Sequence, residues 1–277
     1  DVAEQRVVQL TDDPHVDFSS RFSPDGEWIV WARSQREWVS FRETEAWDLW
    51  LMRHDGSEAR RIVEGGYHPT WGPNGESIVF QRGVQILELD LETERERVLV
   101  DGATAFPDFR IGDAALHPSG DLLTFAVLRH GAVAGPVARE EWSRLTPAQV
   151  CQTRWVPGTR DLIWVDPSGN GGTRIMRSSL DGSRQEVLMD LPGNRSHEYF
   201  PNLSPDARWL VWGATAEGHE HDRADYEIFV WRVGEPWEEA MRLTFYSGND
   251  QCPDVWVPAG SAAGELPPTC CFSWVVS

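Results

Sequence analysis

A short phrase recurs along this chain and limits what it can become. Ser23-Pro24-Asp25-Gly26 is followed by Glu27-Trp28-Ile29-Val30-Trp31-Ala32. Proline presets φ at the second turn position, and Asp and Gly accept the conformations that follow. The run behind the turn mixes β-branched and aromatic residues, apolar enough for a strand covered on both faces. Gly72-Pro73-Asn74-Gly75, His117-Pro118-Ser119-Gly120, Val156-Pro157-Gly158 and Ser204-Pro205-Asp206-Ala207 introduce similar runs. Val257-Pro258-Ala259-Gly260 is a weaker sixth copy, with its strand delayed to 271–276. The six copies start 49, 45, 39, 48 and 53 residues apart, the length of one four-stranded propeller blade. The reading is all-β: a single six-bladed β-propeller over residues 1–277. Its blades fall at about 14–64, 65–107, 108–148, 149–195, 196–246 and 247–277 plus 1–13.

The first segment, residues 5–12, has no blade of its own before it. It resembles residues 240–244, which end the fifth repeat, so it is expected to supply the outer strand of blade six and close the ring. Blade three loses its strand pattern after Ala126. An irregular excursion is expected over 131–150, with a helical turn at 146–149. Blade six is interrupted by a loose Pro/Ala/Gly stretch over 258–268 and is expected to lack a full set of four strands. The 15 Trp residues read chiefly as wedges between blades.

A formal charge of −19 argues against nucleic acid and anionic membrane surfaces, which need clustered basic residues. All 25 basic residues are Arg. Without lysine there is no Schiff-base nucleophile, no phosphate-loop lysine and no lysine general base. No Gly-x-Ser-x-Gly elbow occurs either. No stretch approaches the ~20 apolar residues that span a bilayer. The four cysteines, Cys151, Cys252, Cys270 and Cys271, fit no zinc spacing. Cys151 and Cys252 both lie near the starts of inner strands, where they could pair across the channel or remain buried thiols. Cys270 and Cys271 are too close for an ordinary bridge.

The phrase from Phe22 to Trp31, followed by Asp48-Leu49-Trp50-Leu51-Met52 and Asp55-Gly56, resembles the propeller repeat of the TolB family. So does Arg242-Leu243-Thr244 leading into a fresh inner strand. The likeness recurs through nearly the whole chain. It implies a bacterial six-bladed propeller of TolB type, periplasmic or extracellular, its signal peptide already removed. The extra N-terminal α/β domain of TolB and the hydrolase domain of peptidase relatives have no counterpart in this sequence.

In a meander of strands a–b–c–d the a–b and c–d turns share one face, and the b–c loops and d–a crossovers share the other. Long loops concentrate function, and they gather on the second face, at 33–47 in blade one and 214–226 in blade five. The mouth there is expected to be polar. Blade one contributes His15, Asp17 and Trp38, and blade two Tyr67 and His68. Arg110 and Asp113 come from blade three, His197 and Glu198 from blade five, and Asn249 and Asp250 from blade six. His219, His221, Asp222 and Asp225 offer imidazole and carboxylate donors for a divalent metal, Zn or Mn with the imidazoles or Ca with carboxylates alone. The competing reading is a solvated loop. The function expected is a non-enzymatic, exported scaffold that binds a protein or peptide partner through the long-loop face. A metal-dependent carbohydrate-active enzyme in the same mouth is the alternative. A subunit of a larger assembly, with Trp38 and Trp237 in a flat patch, is a third possibility.

Overall fold

The computed structural model describes residues 7–139, 141–146, 150–169, 172–218, 220–245, 247–258, 261 and 271–276. Five antiparallel four-stranded sheets follow one another along the chain. Blade one, from the inside outward, is Asp17–Phe22, Trp28–Ser34, Trp47–Arg53 and Arg60–Val63. The innermost strands of blades two to five are Tyr67–Trp71, Ile111–Leu116, Cys151–Trp155 and His197–Leu203. A two-stranded sheet, Asp250–Trp256 with Cys271–Val276, packs between blade five and blade one and closes the ring. Five four-stranded blades are thus present where six blades were expected, and at the sixth position, expected to fall short of four strands, the described residues form two.

Both faces of each blade are covered, which is why the strands read as continuous apolar runs. In Trp28–Ser34, Val30 and Ala32 face blade two, packing with Ile78 and Phe80. Ile29 and Trp31 face the other way. Leu210 and Trp212 pack against Ile163 and Ile175 of blade four, while Trp209 and Val211 meet Val255 of the two-stranded sheet. Trp164 and Trp212 are buried wedges between sheets, and Trp31 is buried on the blade-one face that Leu10 covers.

Each innermost strand carries the same distortion. Ser19, His68, Asp113, Gln152, Phe200 and Cys252 all have left-handed φ, between 49° and 59°. The ladder shifts register at each of these points. A left-handed non-glycine residue costs about 1–3 kcal/mol, so something must hold it. Hydrogen bonds between adjacent innermost strands do so. Trp71 Nε1 donates to the Arg21 carbonyl (3.0 Å) and Thr70 Oγ1 to the Ala114 carbonyl (3.3 Å). Trp155 Nε1 donates to the Ala115 carbonyl (2.8 Å), and the Phe200 amide to Gln152 Oε1 (2.6 Å). Asn202 Nδ2 donates to the Pro253 carbonyl (2.7 Å) and the Phe22 amide to Asp254 Oδ2 (2.8 Å). All six seams are bridged.

The repeated turn has a second use at the closing seam. Gly26, at φ +76°, lies under Trp256, and a Cβ there would come within 2.3 Å of the indole. Trp256 Nε1 donates to the Pro24 carbonyl. The turn that starts blade one is thus covered by the last sheet.

Three expectations change. Residues 7–12 form no strand. Val7 and Val8 are exposed, while Leu10 sits against Gly56 beside Ile29, Trp31 and Met52. This segment runs straight into the Asp12-Asp13-Pro14 turn and lies over blade one instead of pairing with the last sheet. The excursion expected over 131–150 begins as a regular strand, Gly131–Pro136, paired with Ser143–Arg144. Its residues are small because the chain returns so close: a Cβ on Gly135 would lie 2.0 Å from the Glu141 carbonyl oxygen. Three of the four residues of the expected helical turn, 147–149, lie outside the described residues. Trp237 is half-buried, its Nε1 donating to the Leu188 carbonyl, so it belongs to no flat exposed patch.

Asp254→Ala removes the acceptor for the Phe22 amide at the closing seam. It is expected to lower stability by about 1–3 kcal/mol, read as the urea midpoint. An unchanged midpoint would show that this seam contributes nothing.

Candidate functional site

The long loops of blades one and five lean over the closing seam and meet. Asp222 accepts from Ser40 Oγ (2.8 Å), the Phe41 amide (3.1 Å) and Arg42 Nη1 (3.3 Å). One carboxylate therefore holds the tip of the other loop by a side chain, an amide and a guanidinium. Beneath this latch His221 is buried. Its ring lies edge-on to Phe41, Tyr199 and Phe200 at centroid distances of 4.9, 4.5 and 5.3 Å. Its Nδ1 pairs with the Tyr226 hydroxyl at 2.9 Å, and its carbonyl accepts from Asn249 Nδ2 (2.8 Å) and Gln251 Nε2. Tyr67 Oη donates to the Phe41 carbonyl (2.6 Å). A space of about 30 Å³ remains among Phe18, Trp38, Phe41, Trp47 and His221, room for a water molecule or two. The mouth is an aromatic plug under a polar latch.

That arrangement redistributes the residues picked from the sequence. At the rim, His15 pairs with Asp13, and Trp38 stays 55% exposed. Asp17 accepts from Arg33 at 2.7 and 2.9 Å and from Trp31 Nε1 at 2.8 Å. Arg110 is exposed, and its carbonyl accepts the Leu128 amide. Tyr67, Asp113, Glu198, Asn249 and Asp250 are buried, and His68 keeps only partial exposure. His197 is half-buried against Gly172, where burial lowers its pKa. Asp250 is fully buried, and burial pushes its carboxyl up to about 6.

Among the described residues the candidate metal set does not converge. Asp222 is committed to the latch, Asp225 pairs with Arg195 (2.6 Å), and His221 faces Tyr226. His219 lies outside the described residues. Glu198, the possible ligand across the blade, turns to the Leu191 amide (2.6 Å) and Thr173. Among the described residues no three His, Cys, Asp or Glu side chains form a group able to hold a metal ion. The Cys151–Cys252 pair does not form either. Their strands belong to blade four and the two-stranded sheet, with the innermost strand of blade five between them. Burial raises the two thiols to about 11 and about 12.

The sequence reading missed the axis of the ring. Arg154 donates to Asp113 Oδ1 (2.9 Å) and Asn202 Oδ1 (3.2 Å), so three successive blades share one polar chain. Arg21 and Asp254 face the same axis from blade one and the last sheet. Burial lowers Arg21, and the neighbouring Arg154 adds to this; burial also raises Asp254. A signal was available: Arg21, Arg154 and Asn202 each stand two residues ahead of the recurring turn and two beyond the left-handed residue.

No protein-family model matches the sequence, and no curated protein does either. Solved structures do. TolB from Acinetobacter baumannii matches with a TM-score of 0.61 at 16% identity, over 79% of this chain and 53% of that one. The chain thus spans about half the length of that TolB. A protein assigned as TolB from Agrobacterium tumefaciens matches with a TM-score of 0.70 at 15% identity, over 88% and 86%. This is a TolB-like β-propeller fold. An oligogalacturonate lyase in complex with manganese is also similar, with a TM-score of 0.56 at 14% identity, over 85% and 68%. At these identities the likeness concerns the fold, and propellers carry many functions.

Glu198 supplies a test of the buried chemistry beside the mouth. Burial, helped by the Asp190 charge, raises its carboxyl to about 8. The Thr173 hydroxyl donates to the Glu198 carbonyl (2.7 Å), leaving a lone pair to accept from a protonated Oε2 at 3.3 Å. Because the folded value lies above the ordinary 4.5, the associated stability is complete below that pH and is lost as pH rises through 8. Glu198→Gln removes the titration. Between pH 5 and 9 the wild type is expected to lose about 4 kcal/mol more stability than the variant. Parallel pH profiles in chemical denaturation would contradict a neutral Glu198.

Proposed function

We propose that this propeller is a non-catalytic scaffold that binds a protein or peptide on the face carrying the b–c loops and d–a crossovers. The observation behind this reading is where large apolar side chains stay exposed. Trp38, Val84 and Leu128 lie in b–c loops, and Phe109 and Phe245 lie in d–a crossovers. The remaining exposed ones, Val7, Val8, Val98 and Met241, belong to the N-terminal segment and outer strands. Among the described residues the opposite face exposes none. Exposed apolar groups gathered on one face, within a chain of charge −19, suit a partner with an apolar footprint and a basic surroundings. The latch between the two loops supports the same reading, since a rim already held in place needs little ordering on binding. An exported setting, periplasmic or extracellular, and membership of a larger assembly are parts of this proposal. So is the counting of the two-stranded sheet as a sixth, incomplete blade.

The rival reading, a metal-dependent carbohydrate-active enzyme, draws its support from the likeness to oligogalacturonate lyase. It would require the latch to open and His221 to be freed for a metal.

Trp38→Ser combined with Phe245→Ser is expected to weaken capture of the partner from an extract of the source organism by about 30-fold. Val98→Ser, on an outer strand, should leave capture intact. Equal losses from both would remove the face assignment. Elemental analysis separates the rival: the scaffold reading expects no stoichiometric Mn, Zn or Ca. A stoichiometric metal lost on His219→Ala or His221→Ala would favour the enzyme.

A further inference from the structure

The seam between blades four and five stays open at its outer end. A cleft of about 380 Å³ lies there, within the size range of small-molecule sites. Its apolar wall is continuous with the core that joins the two blades. Leu191 follows Gln185–Met189, the outermost strand of blade four, and Phe229 and Trp237 come from blade five. Trp237 is held at the wall by its Nε1 bond to the Leu188 carbonyl across the seam (3.0 Å).

Two arginines line the same cleft. Arg195, on the crossover between the blades, donates Nη1 to the Asp225 carbonyl (2.7 Å) and Nη2 to Asp225 Oδ2 (2.6 Å). Arg242, on the short outermost strand of blade five, donates Nε to the Thr244 carbonyl (2.7 Å) and Nη2 to Glu227 Oε1. Arg195 Nη2 lies 3.8 Å from that same Oε1, so one carboxylate oxygen brings the two guanidiniums side by side. Glu227 is buried, and its other oxygen accepts from Thr244 Oγ1 (2.6 Å). Neither Glu227 nor Asp225 lines the cleft; they orient the arginines from outside it. The Arg195 and Arg242 side chains keep 19% and 30% exposure. Arg195 Nε and Arg242 Nη1 have no acceptor among the described residues.

Oriented guanidiniums beside an apolar wall select a ligand. A cation would be repelled by the arginines, and a neutral apolar molecule would cover the wall without using their free donors. A small inorganic anion would leave the wall in water. We propose that this cleft binds a carboxylate carried on a short apolar or aromatic body. The carboxylate accepts from the free guanidinium donors, and the body covers Leu191, Phe229 and Trp237. The site is separate from the rim used in the scaffold reading, so either can fail alone.

Isothermal titration calorimetry of the full chain at pH 7 and constant ionic strength tests this with hydrocinnamate, hydrocinnamyl alcohol and acetate. Saturable binding of hydrocinnamate is expected, about tenfold tighter than of the alcohol or of acetate. N-acetylphenylalanine carries the same ring and carboxylate but continues as a peptide, and so identifies the source. Affinity matching hydrocinnamate assigns the cleft to chain termini, and weaker binding assigns it to free acids. Arg195→Gln should weaken hydrocinnamate about tenfold and leave the alcohol unchanged. Glu238, exposed, is the acidic side chain among the described lining residues. Glu238→Lys should tighten hydrocinnamate about threefold, and this surface change reports even if Arg195→Gln fails to fold. No saturable binding in the wild type, or equal affinity for hydrocinnamate and either the alcohol or acetate, would overturn the assignment. So would unchanged affinity in a folded Arg195→Gln or in Glu238→Lys.

Discussion

Polar groups handed from each innermost strand to the next hold this ring shut. Apolar packing between blades supplies the bulk of the stabilisation, but it is non-directional and would tolerate many arrangements of sheets. The inter-strand hydrogen bonds are selective. Each crosses a seam at a register shift, where a left-handed residue from Ser19 to Cys252 turns the strand. The strain at those residues and the bonds beside them imply one another: relax the backbone and the donors no longer reach the next strand. The last seam is the most exacting. A sheet of only two strands must satisfy both neighbours, and it does so through the Pro253 carbonyl on one side and Asp254 on the other.

This constraint also governs where function can reside. Strands drawn tightly to the axis bring Arg21, His68, Asp113, Arg154 and Asn202 inward, so the centre is small and polar. The loops of blades one and five cover it with aromatic rings and fasten themselves through Asp222. What remains accessible to a macromolecule is the rim, where Trp38, Val84, Phe109, Leu128 and Phe245 stay in solvent.

The fold was legible because local chemistry repeats. The Pro-Asp-Gly turns and the double-sided strands behind them carry their geometry within about ten residues. The strand Gly131–Pro136 was not legible, because close approach to the Glu141 backbone demands small side chains, and these carry no strand signature. The N-terminal segment misled for a different reason. Its apolar residues matched the strand at 240–244, but a match in pattern cannot say which edge is free to pair.

The site was less legible than the fold, since its contacts are long-range. Asp222 and Ser40 stand 182 residues apart. Nothing near His221 in sequence announces that Asn249, Gln251 and Phe41 will enclose it. Polar residues at the mouth were read as free donors, and the structure consumes most of them in holding loops together. The axial arginines were closer to discovery, because Arg21, Arg154 and Asn202 keep a constant distance from the repeated turn.

Amide hydrogen exchange across the closing seam tests the ring most directly. If the two-stranded sheet is bonded into the ring, residues 250–256 must exchange as slowly as 17–22 and 197–203, since opening any one of them breaks the others. Exchange over 250–256 that is orders of magnitude faster than in both neighbours would show a detached hairpin, and the closed ring would be wrong.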